Sequence, residues 1–262
     1  MPVLAVAIQK GGTGKTTTTL NAGVELARLG ASVLLIDIDP QSNLTQALGF
    51  DPVQVEISIN EVLTADVPLE QAIQTTSFGV DLVPATLRLA GAEITLSGRY
   101  GRELLLRNAL EAARHRYDYV LIDCPPSLGI FTLNAFTAAD SVLVPIQSHV
   151  FAYKSMPQLE QTIQLVLNSR LNPTLHLGGV VVTMMDSRVS LHTAVEAEVR
   201  AQYGDLVFQT VVPVNVRLTE APAVGQPISA YAASSSGARA YRALAEEILT
   251  RWPLASKTVK TV

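Results

Sequence analysis

Residues 9–17 read Gln-Lys-Gly-Gly-Thr-Gly-Lys-Thr-Thr, in which Gly11, Gly12 and Gly14 surround Thr13 and lead into Lys15, Thr16 and Thr17. Those residue types suit phosphate. Glycines let the backbone curl until its N–H groups converge on anionic oxygens. A helix beginning near Lys15 turns its positive end to the same point. Lys15 then reaches β- and γ-phosphates, and the Thr16 hydroxyl supplies a ligand to Mg²⁺. The common phosphate-loop pattern asks for glycine where Gln9 stands, so the strict spacing fails while the physical requirements are met. The plainer reading is a glycine-rich turn between strand and helix.

Carboxylates at two strand ends sharpen the case. Asp123 closes the apolar run 119–122, the position from which an acidic residue holds Mg²⁺ directly or through water. Asp37 and Asp39 close the run 32–36 in the same manner. If the extended backbone continued, its period of two would put both on one face, leaving one to orient an attacking water. Taken singly, each aspartate is equally well a strand-end solubiliser or a helix cap.

The elements that must position these residues are legible as apolar runs alternating with helical patterns. Strands are predicted at 3–8, 32–36, 80–83, 119–122, 141–145, 177–183 and 206–211, and helices at 16–29, 102–115, 158–168, 191–203 and 237–252. Strands apolar on both faces and separated by helices imply an α/β fold, a mainly parallel twisted sheet flanked by helices on both faces. Residues 40–100 are the least regular and are expected to hold small helices and loops at one edge. No repeat or linker divides the chain, so 1–252 is expected to form one domain and 253–262 a flexible C-terminal tail.

Composition narrows the class. The 262 residues are 48% hydrophobic and 16% charged, enough to bury a full core. The formal charge of −4 excludes a uniformly basic nucleic-acid glove. Residues 186–262 carry eight Lys/Arg against seven Asp/Glu, whereas 1–185 carry 11 against 16, a mild asymmetry that an ordinary mixed surface also shows. A single cysteine, Cys124, rules out a disulfide framework and any multi-thiolate metal site. No run approaches the roughly 18 apolar residues of a membrane span, and the first residues have no basic n-region, so a cytoplasmic protein is expected.

Lys10 gives the loop a second lysine, and Lys10-Gly-Gly-Thr-Gly-Lys-Thr-Thr resembles the deviant Walker A of the ParA/MinD class of P-loop ATPases. The segment Asp37-Ile-Asp39-Pro40-Gln41-Ser42-Asn43 is similar to the second acidic motif of ParA-type partition ATPases. Tyr117-Asp-Tyr-Val-Leu-Ile-Asp123-Cys-Pro125-Pro126-Ser127 is similar to their Walker B segment. Leu82-Val-Pro84-Ala85-Thr86, Val182-Thr-Met-Met-Asp186 and Val212-Pro213-Val-Asn215-Val-Arg217-Leu-Thr-Glu220-Ala-Pro222 resemble further Soj/ParA signatures. The ordered set covers roughly residues 3–250, and the chain resembles the short Soj-like form, for which no N-terminal DNA-reading extension is expected.

The resemblance implies a single-domain P-loop NTPase with ATP and Mg²⁺ as cofactors. It implies an ATP-dependent homodimer in which two subunits sandwich two nucleotides and Lys10 reaches the partner's phosphates. Asp39 matches the water-activating aspartate, Asp37 supports the Mg²⁺ shell beside Thr16 and Asp123, and residues 10–17 hold the phosphates. Met185, Pro213 and Asn215 fall around the adenine. The ATP-bound dimer binds double-stranded DNA without sequence preference, placing the protein on the nucleoid. Arg188 and Arg217 match positions on the DNA backbone, with Arg239 and Arg242 joining them from the last helix. A centromere-binding ParB-type partner stimulates hydrolysis and release. Basal turnover is expected to be slow, because no side chain is an obvious arginine finger.

The chain departs from the family at Ser148-His149-Val150-Phe151-Ala152-Tyr153-Lys154-Ser155, where histidine and lysine replace expected glutamates and serine replaces glycine. That affects partner recognition or dimerisation more than ATP binding; a lone histidine after a strand is more often structural. Thr13 replaces the commoner valine. A MinD-like membrane-binding regulator needs a basic amphipathic C-terminal helix. Residues 243–252 carry Glu246 and Glu247 instead, so no membrane partner is expected. The iron–sulfur relatives need more thiolates than one cysteine per chain supplies. A ParA-like ATPase that positions a protein complex remains the reading from a different class.

Overall fold

The structure, a computed structural model, describes residues 1–149 and 155–254. Its strands are β1 (Val3–Val6), β2 (Val33–Asp37), β3 (Gln74–Thr75), β4 (Asp81–Val83), β5 (Tyr119–Asp123), β6 (Ser141–Gln147), β7 (His176–Met185) and β8 (Val207–Pro213). They form one sheet in the order β3-β4-β2-β5-β1-β6-β7-β8. All pairings are parallel except β3 with β4 at the edge.

The helices are α1 (Lys15–Arg28), α2 (Asn43–Ala47), α3 (Ile59–Thr64), α4 (Leu69–Ala72), α5 (Leu89–Leu96), α6 (Leu105–Ala113), α7 (Ile130–Ala138), α8 (Met156–Asn168), α9 (Ser190–Tyr203), α10 (Arg217–Glu220), α11 (Ile228–Tyr231) and α12 (Ser236–Arg251). Strand alternation divides the core in two. Val3 and Ala5 of β1 pack with residues of α3 to α9 on one face, and Leu4 and Val6 pack with α1, α2, α11 and α12 on the other. The same split runs through β2 and β5, with Ile36 and Ile122 on the first side and Leu35 and Leu121 on the second. Both faces of the central strands are therefore dry, which is why they read as unbroken apolar runs.

The expected α/β architecture is the observed one. The predicted helix at 102–115 begins as a 3₁₀ turn, Arg102–Leu104, before α6. Residues 40–100 hold four short helices and two short strands at the β3–β4 edge. β3, α7, α10 and α11 are additions. β3 is only two residues long. In α7, seven of nine residues are buried, so no polar stripe reveals its period. Residues 150–154 of the departing segment and 255–262 of the expected tail lie outside the described residues.

Candidate functional site

β1 lies between β5 and β6, and the chain leaves it through residues 7–14 into α1. That places the glycine loop at the carboxyl edge of a parallel sheet, where open α/β sheets bind ligands. Gly12 and Gly14 have φ of 72° and 91°, a left-handed backbone that a side chain would strain. A methyl group on Gly11 would meet no protein atom within 4 Å, so this backbone borders open cleft. No side chain caps the N-terminus of α1. Its first N–H groups are left to bind an anion, reinforced by the helix dipole.

The ammonium of Lys15 folds back onto the loop and donates to the Lys10 carbonyl at 2.9 Å. Burial lowers the Lys15 pKa, while the charges of Asp123, Cys124 and Asp39 oppose that shift. Thr16 Oγ1 donates to Asp123 Oδ2 at 2.7 Å, and Thr19 Oγ1 donates to Asp123 Oδ1 at 3.3 Å. Burial, followed by repulsion from Asp37, pushes the Asp123 carboxyl well above the usual carboxylate range. The Thr13 hydroxyl is buried without a hydrogen-bond partner, and the Thr13 carbonyl accepts from Thr183 Oγ1 at 2.8 Å.

The two aspartates after β2 do different things. The assigned strand ends at Asp37, Ile38 still packs on the same core face as Leu34 and Ile36, and the two carboxylates take different partners. Asp37 accepts from Thr45 N and Thr45 Oγ1, at 2.9 and 2.7 Å, and from Asp39 N at 3.1 Å. It thereby ties α2 and the following turn to the strand end. Asp39 lines the cleft and accepts from Gln41 N at 2.9 Å.

The cleft has a volume of about 560 Å³ and is walled by Gly11, Lys15, Thr16, Asp39, Asn43 and Met184 among others. Among the described residues no cluster of three His, Cys, Asp or Glu side chains surrounds a metal position. Mg²⁺ needs no such cage, being held by one or two protein oxygens with phosphate and water completing the octahedron. The Thr16 hydroxyl and Asp123 carboxylate, already in contact, are hard oxygen donors of that kind and fit the ion.

A second cavity of about 320 Å³ shares Gly14, Thr17 and Met184 with the first. Of the three residues expected around adenine, Pro213 and Asn215 line it. Met185 is not among its lining residues; its neighbour Met184 is, with a left-handed φ of 54° that few non-glycine residues adopt. No sequence signal marks this exchange, because the position is set by the end of β7, where Ser148 Oγ donates to the Met184 carbonyl at 2.8 Å.

The four arginines expected on DNA are all engaged with the protein. Arg188 contacts both oxygens of Asp186, and Arg217 pairs with Glu220 at 2.7 Å. Arg217 borders a surface hollow with Ser234, whose carbonyl accepts from Arg239. Arg242 lies between Glu25 of α1 and Glu246.

A glycine cradle, an uncapped helix, a buried lysine and a threonine–aspartate pair at one sheet edge define a P-loop nucleotide-binding fold. The profile of the AAA domain family matches residues 1–177. The chain is 46% identical over 247 residues to the sporulation initiation inhibitor protein Soj of Bacillus subtilis, spanning 94% of this chain and 97% of that one. It is 48% identical over 252 residues to the chromosome partitioning protein ParA of Caulobacter vibrioides, spanning 95% and 94%. The chain belongs to the ParA/Soj family of P-loop partition ATPases. Among solved structures, cobyrinic acid a,c-diamide synthase from Mycobacterium smegmatis with bound ATP analogue and magnesium is 41% identical, with a TM-score of 0.84 and 96% of each chain covered. An aspartate-to-alanine variant of Cyanothece McdA in complex with ATP shares the fold at a TM-score of 0.85 and 23% identity, with 97% of each chain covered.

Proposed function

We propose that the protein is a Mg-ATP-dependent DNA partition ATPase whose ATP-bound form is a sandwich homodimer on non-specific double-stranded DNA. The observation that carries the reading is the convergence of Lys15, Thr16 and Asp39 on one cleft at the mouth of the glycine loop, with Asp123 buried behind it and hydrogen-bonded to Thr16. On ATP binding, Lys15 exchanges the Lys10 carbonyl for phosphate oxygens, and Lys10 is left to face the partner's nucleotide. Thr16 and Asp123 would hold Mg²⁺, which when bound would supply neutralisation of the phosphoryl charge. Asp39 orients the attacking water. Asp37 supports that arrangement by fixing the backbone at Asp39 and α2.

Hydrolysis by the protein alone is slow, since among the described residues no arginine lines the cleft to neutralise transition-state charge. A ParB-type centromere-binding protein accelerates it and releases the dimer from the nucleoid. Membrane attachment through α12 is disfavoured, because Tyr241, Leu244 and Ile248 of that helix are buried in the core and no described helix is long and apolar enough to cross a bilayer.

The test is binding of random-sequence duplex by the Asp39→Ala protein with ATP and with ADP over a salt series. ATP-only, salt-sensitive binding is expected, because loss of the water-orienting carboxylate traps the ATP state. Equal or absent binding in the two states, with ATP still bound, would transfer the reading to an ATPase that positions a protein complex.

A further inference from the structure

The second cavity contains hydrogen-bonding groups that phosphate chemistry does not use. Asn215 is one amide on its wall, but that side chain is already occupied. Its Nδ2 donates to Ser236 Oγ at 2.8 Å and its Oδ1 accepts from Arg217 N at 2.9 Å, so it frames the turn between β8 and α10 and ties it to the start of α12. Thr183 also lines the cavity, and its hydroxyl is committed to the Thr13 carbonyl.

Two other side chains on the wall remain to read a ligand. Gln147 ends β6 in register with Thr183, and its amide makes no hydrogen bond to any described residue. His192, in the first turn of α9, accepts from Asp186 N at its Nδ1, at 3.1 Å. A backbone N–H can only donate, so Nδ1 carries the lone pair and the neutral ring carries its proton on Nε2. The cavity wall thus offers one amide with a donor and an acceptor side by side, and one imidazole of fixed tautomer with a single N–H donor.

We infer that Gln147 and His192 read the nucleobase and select adenine over guanine. This deepens the nucleotide reading of the cleft and rests on it. Adenine presents a ring-nitrogen acceptor beside an exocyclic amino donor, the pattern that a glutamine amide matches with two hydrogen bonds. Guanine presents N7 and O6, both acceptors, on the corresponding edge, so the amide oxygen would face another oxygen. The Nε2–H of His192 adds a donor for a further ring nitrogen. The rest of the wall, including Val212, Pro213 and Leu218, supplies apolar surface to the base.

The experiment is competition of ATP and of GTP against a fluorescent N-methylanthraniloyl-ATP probe on the full chain, read as the ratio of the two affinities. The wild type is expected to favour ATP by about tenfold or more, the scale of a two-bond base contact. Gln147→Leu and His192→Phe should each reduce that ratio severalfold. Gln147→Glu, which keeps the shape and removes the donor, should repeat the loss should leucine disturb β6. Lys15→Ala should weaken both nucleotides by the same factor and leave the ratio alone. A wild type that binds neither nucleotide overturns the nucleotide reading itself. A wild type that binds both equally, or a ratio unchanged in all three base-site variants, overturns this assignment while leaving that reading intact.

Discussion

Asp37 is fully buried at the end of β2, and burial pushes its carboxyl up to about 7, against the hydrogen bonds from Thr45 and Asp39 that favour the ionised form. The sign of the consequence follows from linkage. Its folded value lies above the ordinary 3.8, so between those two values the folded protein keeps a proton that the unfolded chain has released. Stability contributed by this group is fully present below about pH 4 and is lost as pH rises towards 7. Urea unfolding of the nucleotide-free protein in EDTA should show that fall, and Asp37→Asn should make it shallower, the remainder belonging to Asp123. An identical slope in the variant would show that Asp37 does not carry the proton. At this scale the phosphate loop was legible in the sequence because its residues are contiguous. Its division of labour was legible only through the family resemblance: residue type and spacing alone leave Asp37 and Asp39 as equivalents, whereas the folded chain commits one to Thr45 and leaves the other on the cleft.

Among the elements, those with a strong period or a dry strand run were readable, and those defined by their surroundings were not. Helix α7 hides its period because it is packed on nearly every side, and its one amide is satisfied largely by distant chain. Asn134 Oδ1 accepts from Leu106 N, and its Nδ2 donates to the carbonyls of Arg102 and Ile130. The far end of α12 is fixed in a comparable way. Arg251 donates to the carbonyls of Gly178, Leu206 and Asp205 and lies 4.1 Å from the centre of the Phe208 ring. Gly179 makes that approach feasible, since a methyl group there would collide with Phe208 and come within 2.9 Å of Arg251 Nη1. Gly179→Ala should therefore destabilise the protein by about 1–3 kcal/mol, the usual cost of overpacking. The check is the urea midpoint at unchanged slope. ATP affinity should be retained, because the clasp lies at the end of β7 away from the phosphate loop. A midpoint equal to that of the wild type would mean that α12 shifts without cost.

For the molecule as a whole, a net charge of −4 means that the proposed DNA binding would rest on a local patch and not on the overall field. Arg217→Ala should lose DNA binding in the ATP state while ATP hydrolysis persists, measured by duplex retention and phosphate release on the same preparation. Unchanged retention would remove Arg217 from the interface. The ion pairs of this surface also bear on how its salt dependence is to be counted. On the proposed DNA-binding reading, Arg188 and Arg217 would each arrive at a phosphate already paired with a carboxylate of the chain, Asp186 and Glu220. When the phosphate takes the arginine, cations leave the DNA, but the abandoned carboxylate gathers cations in return. The two exchanges offset each other. A plot of log affinity against log salt should accordingly be shallower than the roughly 0.9 per neutralised phosphate that bare arginines would give. The protein carries part of its own counterion atmosphere as covalent structure, and its hold on DNA should vary less across the ionic range of a cell than its number of arginines suggests.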